Sequence, residues 1–205
     1  MKKSYFVLSA LALILSLPQI ALADPRFRRP INTTLSPAIS AYYDHLSGTG
    51  LRTYSCSSNT TYNSHAGTDF RASVSTLIYA SAQGGLYYRY NSCPTYGYAG
   101  STCGGGYGNH AKIDHEGNMT DGQGWVTVYA HMKRDTVVWP MSVLCGGSIG
   151  QTGSSGNSTG PHLHFEVKKY SYPNNDPYSG SCSHATTWWT YQGANGIPGT
   201  QCQQL

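Results

Sequence analysis

From Thr53 onward, clusters of Gly, Asn and Ser cut the chain into short apolar runs. Runs of this length, each bounded by turn-forming residues, are the pattern of antiparallel strands. Candidate strands are Leu77–Ala82, Leu86–Tyr90, His110–His115, Val126–Ala130 and Leu163–Lys168. The expected fold is therefore all-β: a single domain with a mainly antiparallel sheet core, long loops and few short helices. Residues 91–108 are rich in Gly, Tyr and Cys and read as a loop stapled by its own disulfide. Charged residues make up 11% of the 205, against roughly 25% in ordinary soluble domains, which excludes a coiled coil and a charge-driven disordered chain. The net charge of +4 is not gathered into a basic stripe, so no nucleic-acid partner is expected.

The N-terminus reads as an address. Lys2 and Lys3 precede an apolar run from Phe6 to Leu17 and then Ala21-Leu22-Ala23, the layout of a secretory signal peptide over residues 1–23, cleaved before Asp24. The run is too short to cross a bilayer, which takes about 20 residues, and no membrane span is expected in the mature form. Export to an oxidising compartment makes disulfides the expected state of Cys56, Cys93, Cys103, Cys145, Cys182 and Cys202, among which no C-x-x-C spacing occurs. Spacing alone cannot fix the connectivity. Short-loop closure suggests Cys93 with Cys103 and Cys182 with Cys202, which leaves Cys56 with Cys145. Residues 24–54 read as an N-terminal arm or short helix. Residues 55–170 form the expected domain, and 171–205, with Trp188, Trp189 and two cysteines, a C-terminal extension.

Three segments carry the chemistry. His65 and Asp69 stand in an H-x-x-x-D spacing within a presumed loop. In Val126–His131, strand alternation puts Val126, Val128 and Ala130 on one face and Thr127, Tyr129 and His131 on the other. In Gly160–Val167, alternation sends Leu163, Phe165 and Val167 to the core and His162, His164 and Glu166 to the opposite face. Two imidazoles on one sheet face suit a metal site, or one ligand with an acid–base partner. Glu166 is expected as a solvent-facing carboxylate rather than as a partner that orients a ligand.

These residues resemble the lysostaphin-like, LytM-type zinc metallopeptidases that cut peptidoglycan cross-links. The resemblance runs through His65-Ala66-Gly67-Thr68-Asp69, Gly106-Tyr107-Gly108-Asn109, Ile113-Asp114-His115, Tyr129-Ala130-His131, Gly150–Gly153 and Gly156–Val167, in family order. It implies that His65, Asp69 and His164 hold one zinc ion, and that His131 and His162 are non-ligating histidines around the metal-bound water. It further implies a secreted endopeptidase with bacterial peptidoglycan peptides as substrate, expected as a monomer. Two rivals are a LytM-like activator of a separate cell-wall amidase, without activity of its own, and a wall-binding module using the Tyr and Trp surplus. His110 and His115 are expected as structural or cleft-lining residues, and Asn157 with its neighbouring glycines as a turn.

Overall fold

Each of the five apolar runs contains a strand, and the sequence pattern missed four shorter ones. The computed structural model describes residues 24–46, 52–58, 63–116, 124–170 and 175–203; the expected signal peptide lies outside them. The strands are β1 (Ile39–Ala41), β2 (Thr68–Arg71), β3 (Leu77–Tyr79), β4 (Gly84–Tyr90), β5 (Asn109–Asp114), β6 (Trp125–Met132), β7 (Met141–Val143), β8 (Ser148–Gln151) and β9 (His162–Lys169). Among the described residues the one helical element is a 3-10 turn, Cys103–Gly106. Seven strands form one sheet in the order β1-β2-β9-β6-β5-β4-β7, and β3 pairs with β8 in a second; all pairs are antiparallel. The segment read as a loop around Asp69 is thus partly strand. Four residues give too little alternation to be recognised from sequence.

One face of the large sheet is apolar. Phe70, Leu86, Ala111, Ile113, Tyr129, Leu163, Phe165 and Val167 form its core side, together with Ile78 and Ile149 of the small sheet. The Tyr129 hydroxyl accepts the Ser81 N–H at 2.8 Å, so its ring fills the core while its polar tip is satisfied.

The described residues of the N-terminal arm contain no helix. Phe27 and Ile31 are fully buried in the same core as Tyr178 and Trp189 from the C-terminal segment, and Phe27 exchanges backbone hydrogen bonds with Trp188 and Thr190. The arm and the tail are therefore packed parts of one body, closing the apolar face that the strands leave open.

That wrapping corrects the disulfide expectation. The bonds are Cys56–Cys182, Cys93–Cys103 and Cys145–Cys202; only the middle one follows the short-loop rule. The tail passes Tyr54, whose ring stacks on Tyr178 and whose carbonyl accepts the Cys182 N–H, before reaching the turn at Gly146. Loop-closure entropy grows only logarithmically, by about 0.6 kcal/mol per doubling of length, so packing easily overrides it. Replacing Cys145 and Cys202 by Ser should lower unfolding stability by about 2–5 kcal/mol in denaturant titration. Peptide mapping without reduction should recover Cys145 joined to Cys202.

Candidate metal centre

The ladder between β2 and β9 sets Asp69 directly opposite His164, so both side chains leave the sheet on the same face. His65, four residues before Asp69, completes a triangle: His164 Nδ1 lies 2.8 Å from Asp69 Oδ1, and His65 Nε2 lies 3.1 Å from each. All three residues are buried. Gly67 makes this turn possible. A Cβ there would lie 2.4 Å from the Phe165 carbonyl oxygen and 3.1 Å from His164 Cε1.

The outer nitrogen of each imidazole fixes its tautomer. His65 Nδ1 lies 2.7 Å from the Tyr42 carbonyl, which can only accept, so Nδ1 carries the hydrogen and Nε2 turns a lone pair inward. His164 Nε2 donates to Glu166 Oε1 at 3.1 Å, which turns Nδ1 inward toward Asp69. Two imidazole nitrogens and a carboxylate oxygen thus converge on one point, where metal binding would displace any proton between them. Ligand atoms around a tetrahedral ion at about 2.0–2.1 Å stand roughly 3.3 Å apart, close to these separations, and two His with one Asp are a donor set suited to zinc. The surroundings also favour positive charge. Burial pushes His164 down, but Asp69 and Glu166 outweigh it and hold its pKa up at about 10. Burial would raise Asp69, yet the His164 and His65 rings beside it keep it well below the usual carboxylate range.

His131 reaches this face by breaking the strand rule. Alternation would put it in the core beside Tyr129. Instead, three steps along β6, from Tyr129 to Met132, oppose two along β5, a bulge in which His131 takes the left-handed conformation at φ 57°. Its backbone bonds leave the ladder for the Tyr107 carbonyl and the Gly153 N–H, and its ring swings over His162 and His164, with centroids 4.6 and 5.8 Å away. The conformation costs about 1–3 kcal/mol, a strain that favours a role for the side chain. His131 Nδ1 donates to the Ser155 carbonyl at 2.7 Å and His162 Nδ1 to the Gly160 carbonyl at 2.8 Å, so both keep Nε2 as an acceptor. Burial, followed by His162 and His164, pushes His131 down to about 3, so its ring is neutral. His162 Nε2 lies 3.8 Å from Asp69 Oδ1. All five residues singled out in the sequence therefore meet at one place.

Glu166 is not the solvent-facing carboxylate expected. It is 1% exposed, because Tyr107 and the neighbouring loops roof the polar face of β9. Besides His164 it accepts the Tyr107 hydroxyl at 2.8 Å and pairs with Lys168 at 2.8 Å. Burial would raise its pKa, but His164 and Lys168 hold it at about 2. Tyr107, to which the sequence reading assigned no role, also lines a cavity of about 240 Å³ with His131, His164, Gly106 and Asn157. Asn157 does more than form a turn: its side-chain carbonyl accepts the Gly100 N–H, and its own N–H bonds Gly106. Gly156 holds the same wall, since a Cβ there would lie 2.3 Å from the Gly108 nitrogen. His110 is buried against Tyr90 and bonds the Gly108 carbonyl, away from the triangle.

The family model described as Peptidase family M23 matches residues 63–177, more than half of the chain. The chain is 34% identical over 115 residues to the DD-carboxypeptidase/endopeptidase Mpg of Neisseria meningitidis, covering 56% of this chain and 22% of that protein. The peptidoglycan DD-endopeptidase ShyA of Vibrio cholerae is 33% identical over 103 residues, 50% of this chain and 20% of that one. The chain thus spans about a fifth of the length of these curated relatives. Among solved structures, the catalytic domain of the antimicrobial peptidase lysostaphin from Staphylococcus simulans aligns with a TM-score of 0.45 and 24% identity, over 67% of this chain and 85% of that one.

Gly67→Ala should force the β9 backbone away and cost about 1–3 kcal/mol of unfolding stability, read from the denaturant midpoint. Glu166→Ala should weaken zinc binding by about 10–100-fold in competition with a chromogenic chelator, because it releases the ring of His164. Unchanged affinity would show that Glu166 does not orient that ring.

Proposed function

The chain belongs to peptidase family M23, and on that premise we propose that it is a secreted zinc endopeptidase hydrolysing peptide cross-links of bacterial peptidoglycan. The observation that carries the reading is the convergence of His65, Asp69 and His164, with ligand atoms 2.8–3.1 Å apart, beside two histidines whose acceptor nitrogens remain available. In this reading those three residues hold one zinc ion, and His131 and His162 handle protons. The ion, when bound, supplies the Lewis acidity that activates water and polarises a scissile carbonyl.

The remaining work falls to side chains. His131 and His162 keep Nδ1–H on backbone carbonyls, so the proton given up by the attacking water goes to an Nε2. The imidazolium so formed stands where it can steady the oxyanion and then return the proton to the departing amine. The glycine-lined wall at Gly105 and Gly106 lets an extended peptide backbone approach closely. Three disulfides with no free cysteine among the described residues support residence in an oxidising compartment. Relatives named as endopeptidases, one of them a peptidoglycan DD-endopeptidase, support the substrate class.

Digestion of purified peptidoglycan followed by mass analysis should release peptide-cleaved fragments, and a chelator should stop it. His131→Ala and His162→Ala should each lower turnover by about 10²–10⁴-fold while zinc stays near one per chain. Ala at His65, Asp69 or His164 should lose the zinc itself. A zinc-loaded chain that leaves every wall type intact would overturn the enzyme reading and favour an activator of a separate amidase.

A further inference from the structure

The sheet face that carries the triangle does not end there. Along β9 it runs from His164 through Glu166 to Lys168, and across the sheet Glu166 stands opposite Val128, which stands opposite Lys112 of β5. At this end the face forms a second cavity of about 280 Å³, floored by Val126 and Val128 and flanked by Lys112, Lys168, Tyr170 and Asn175.

Its polar groups are mostly donors. Lys168 pairs with Glu166, and Lys169 with Asp24 at 3.3 Å. Glu116 lies against Gly124 at one side of the cavity. Lys112, by contrast, has no carboxylate partner among the described residues, and its ammonium sits 5.0 Å from the Tyr88 ring centroid. Asn175 spends its side-chain carbonyl on the Lys169 N–H, which leaves its amide NH₂ as a donor. A hollow with an apolar floor, an ammonium to spare and an amide donor suits a carboxylate on a short aliphatic arm.

We infer that this cavity is a subsite for a free carboxylate of the peptide whose backbone occupies the cleft, with Lys112 as its main recognition residue. The inference rests on reading that cleft as a peptide site. Lys168 lies four strand residues from His164, about 13 Å at roughly 3.3 Å per residue, and Tyr107 covers the strand between them. The carboxylate therefore belongs at least about four extended residues from the bond to be cut, on a chain that crosses over Tyr107. Lys168, bonded to Glu166, links the two cavities along one strand.

The test uses muropeptides released from sacculi by a muramidase, and the same mixture with its carboxylates converted to amides by carbodiimide and ammonia. Binding to the zinc-loaded chain and to its Lys112→Ala variant is measured by calorimetry, and turnover is followed in parallel. Amidation should weaken binding to the unmodified chain by about tenfold, and Lys112→Ala should bind both mixtures at that weaker level with kcat unchanged. Equal binding of both mixtures by the unmodified chain overturns the inference, as does an equal loss on both in the variant. No binding of either mixture overturns it too. Carboxylate-dependent binding without cleavage of any wall upholds the subsite and overturns the endopeptidase reading alone.

Discussion

Asp69 and His164 face each other across the β2–β9 ladder with Oδ1 and Nδ1 2.8 Å apart, and the rest of the site is arranged around that pair. Strand pairing places both residues on one face, and a side-chain period of two keeps His162 and Glu166 there with them. A carboxylate and an imidazole this close, inside a protein, need their outer atoms fixed. The Tyr42 carbonyl does so for His65, and Glu166 does so for His164. Each outer bond decides which nitrogen turns inward, so groups two shells away set the chemistry at the centre.

The polar face of β9 is buried, which is costly unless every group finds a partner. Tyr107 and the backbone walls around Gly108 and Gly156 provide the cover, and Glu166 answers it with bonds to Tyr107, His164 and Lys168. Desolvation and charge here oppose each other, and the result differs by residue. It leaves His131 neutral, while the carboxylates beside His164 favour positive charge at the triangle. The bulge at His131 adds backbone strain to this cost, offset by the rigid sheet on either side.

The opposite face does the stabilising. The N-terminal arm and the C-terminal segment supply Phe27, Ile31, Tyr178, Trp188 and Trp189 to a core that the strands alone would leave exposed to water. Two of the three disulfides tie the C-terminal segment to the body. A firmly backed sheet is what allows the polar face to hold histidines in fixed tautomers within a few ångströms of one another.

Much of this was legible in the chain itself. Turn punctuation and alternation specified an all-β fold and five of its strands, and the His-x-His alternation of β9 placed His162, His164 and Glu166 together. The spacing of His65 and Asp69 carried little by itself; the resemblance to the LytM-type metallopeptidases implied their role, and neither gave the reason for Gly67. Alternation is a local rule, and it failed where non-local contacts decided the outcome. His131 left its expected face because an extra residue in β6 had to be absorbed against β5. Glu166 lost its solvent because Tyr107, far away in sequence, folded over it. The cysteines paired across the tail because entropy penalises a long loop only slightly more than a short one, while packing fixes which sulfurs meet. The sequence by itself determined which residues alternate and which could bind a metal. Tertiary structure decided which of them share one point, since burial and partner choice depend on chain segments that no local period can see.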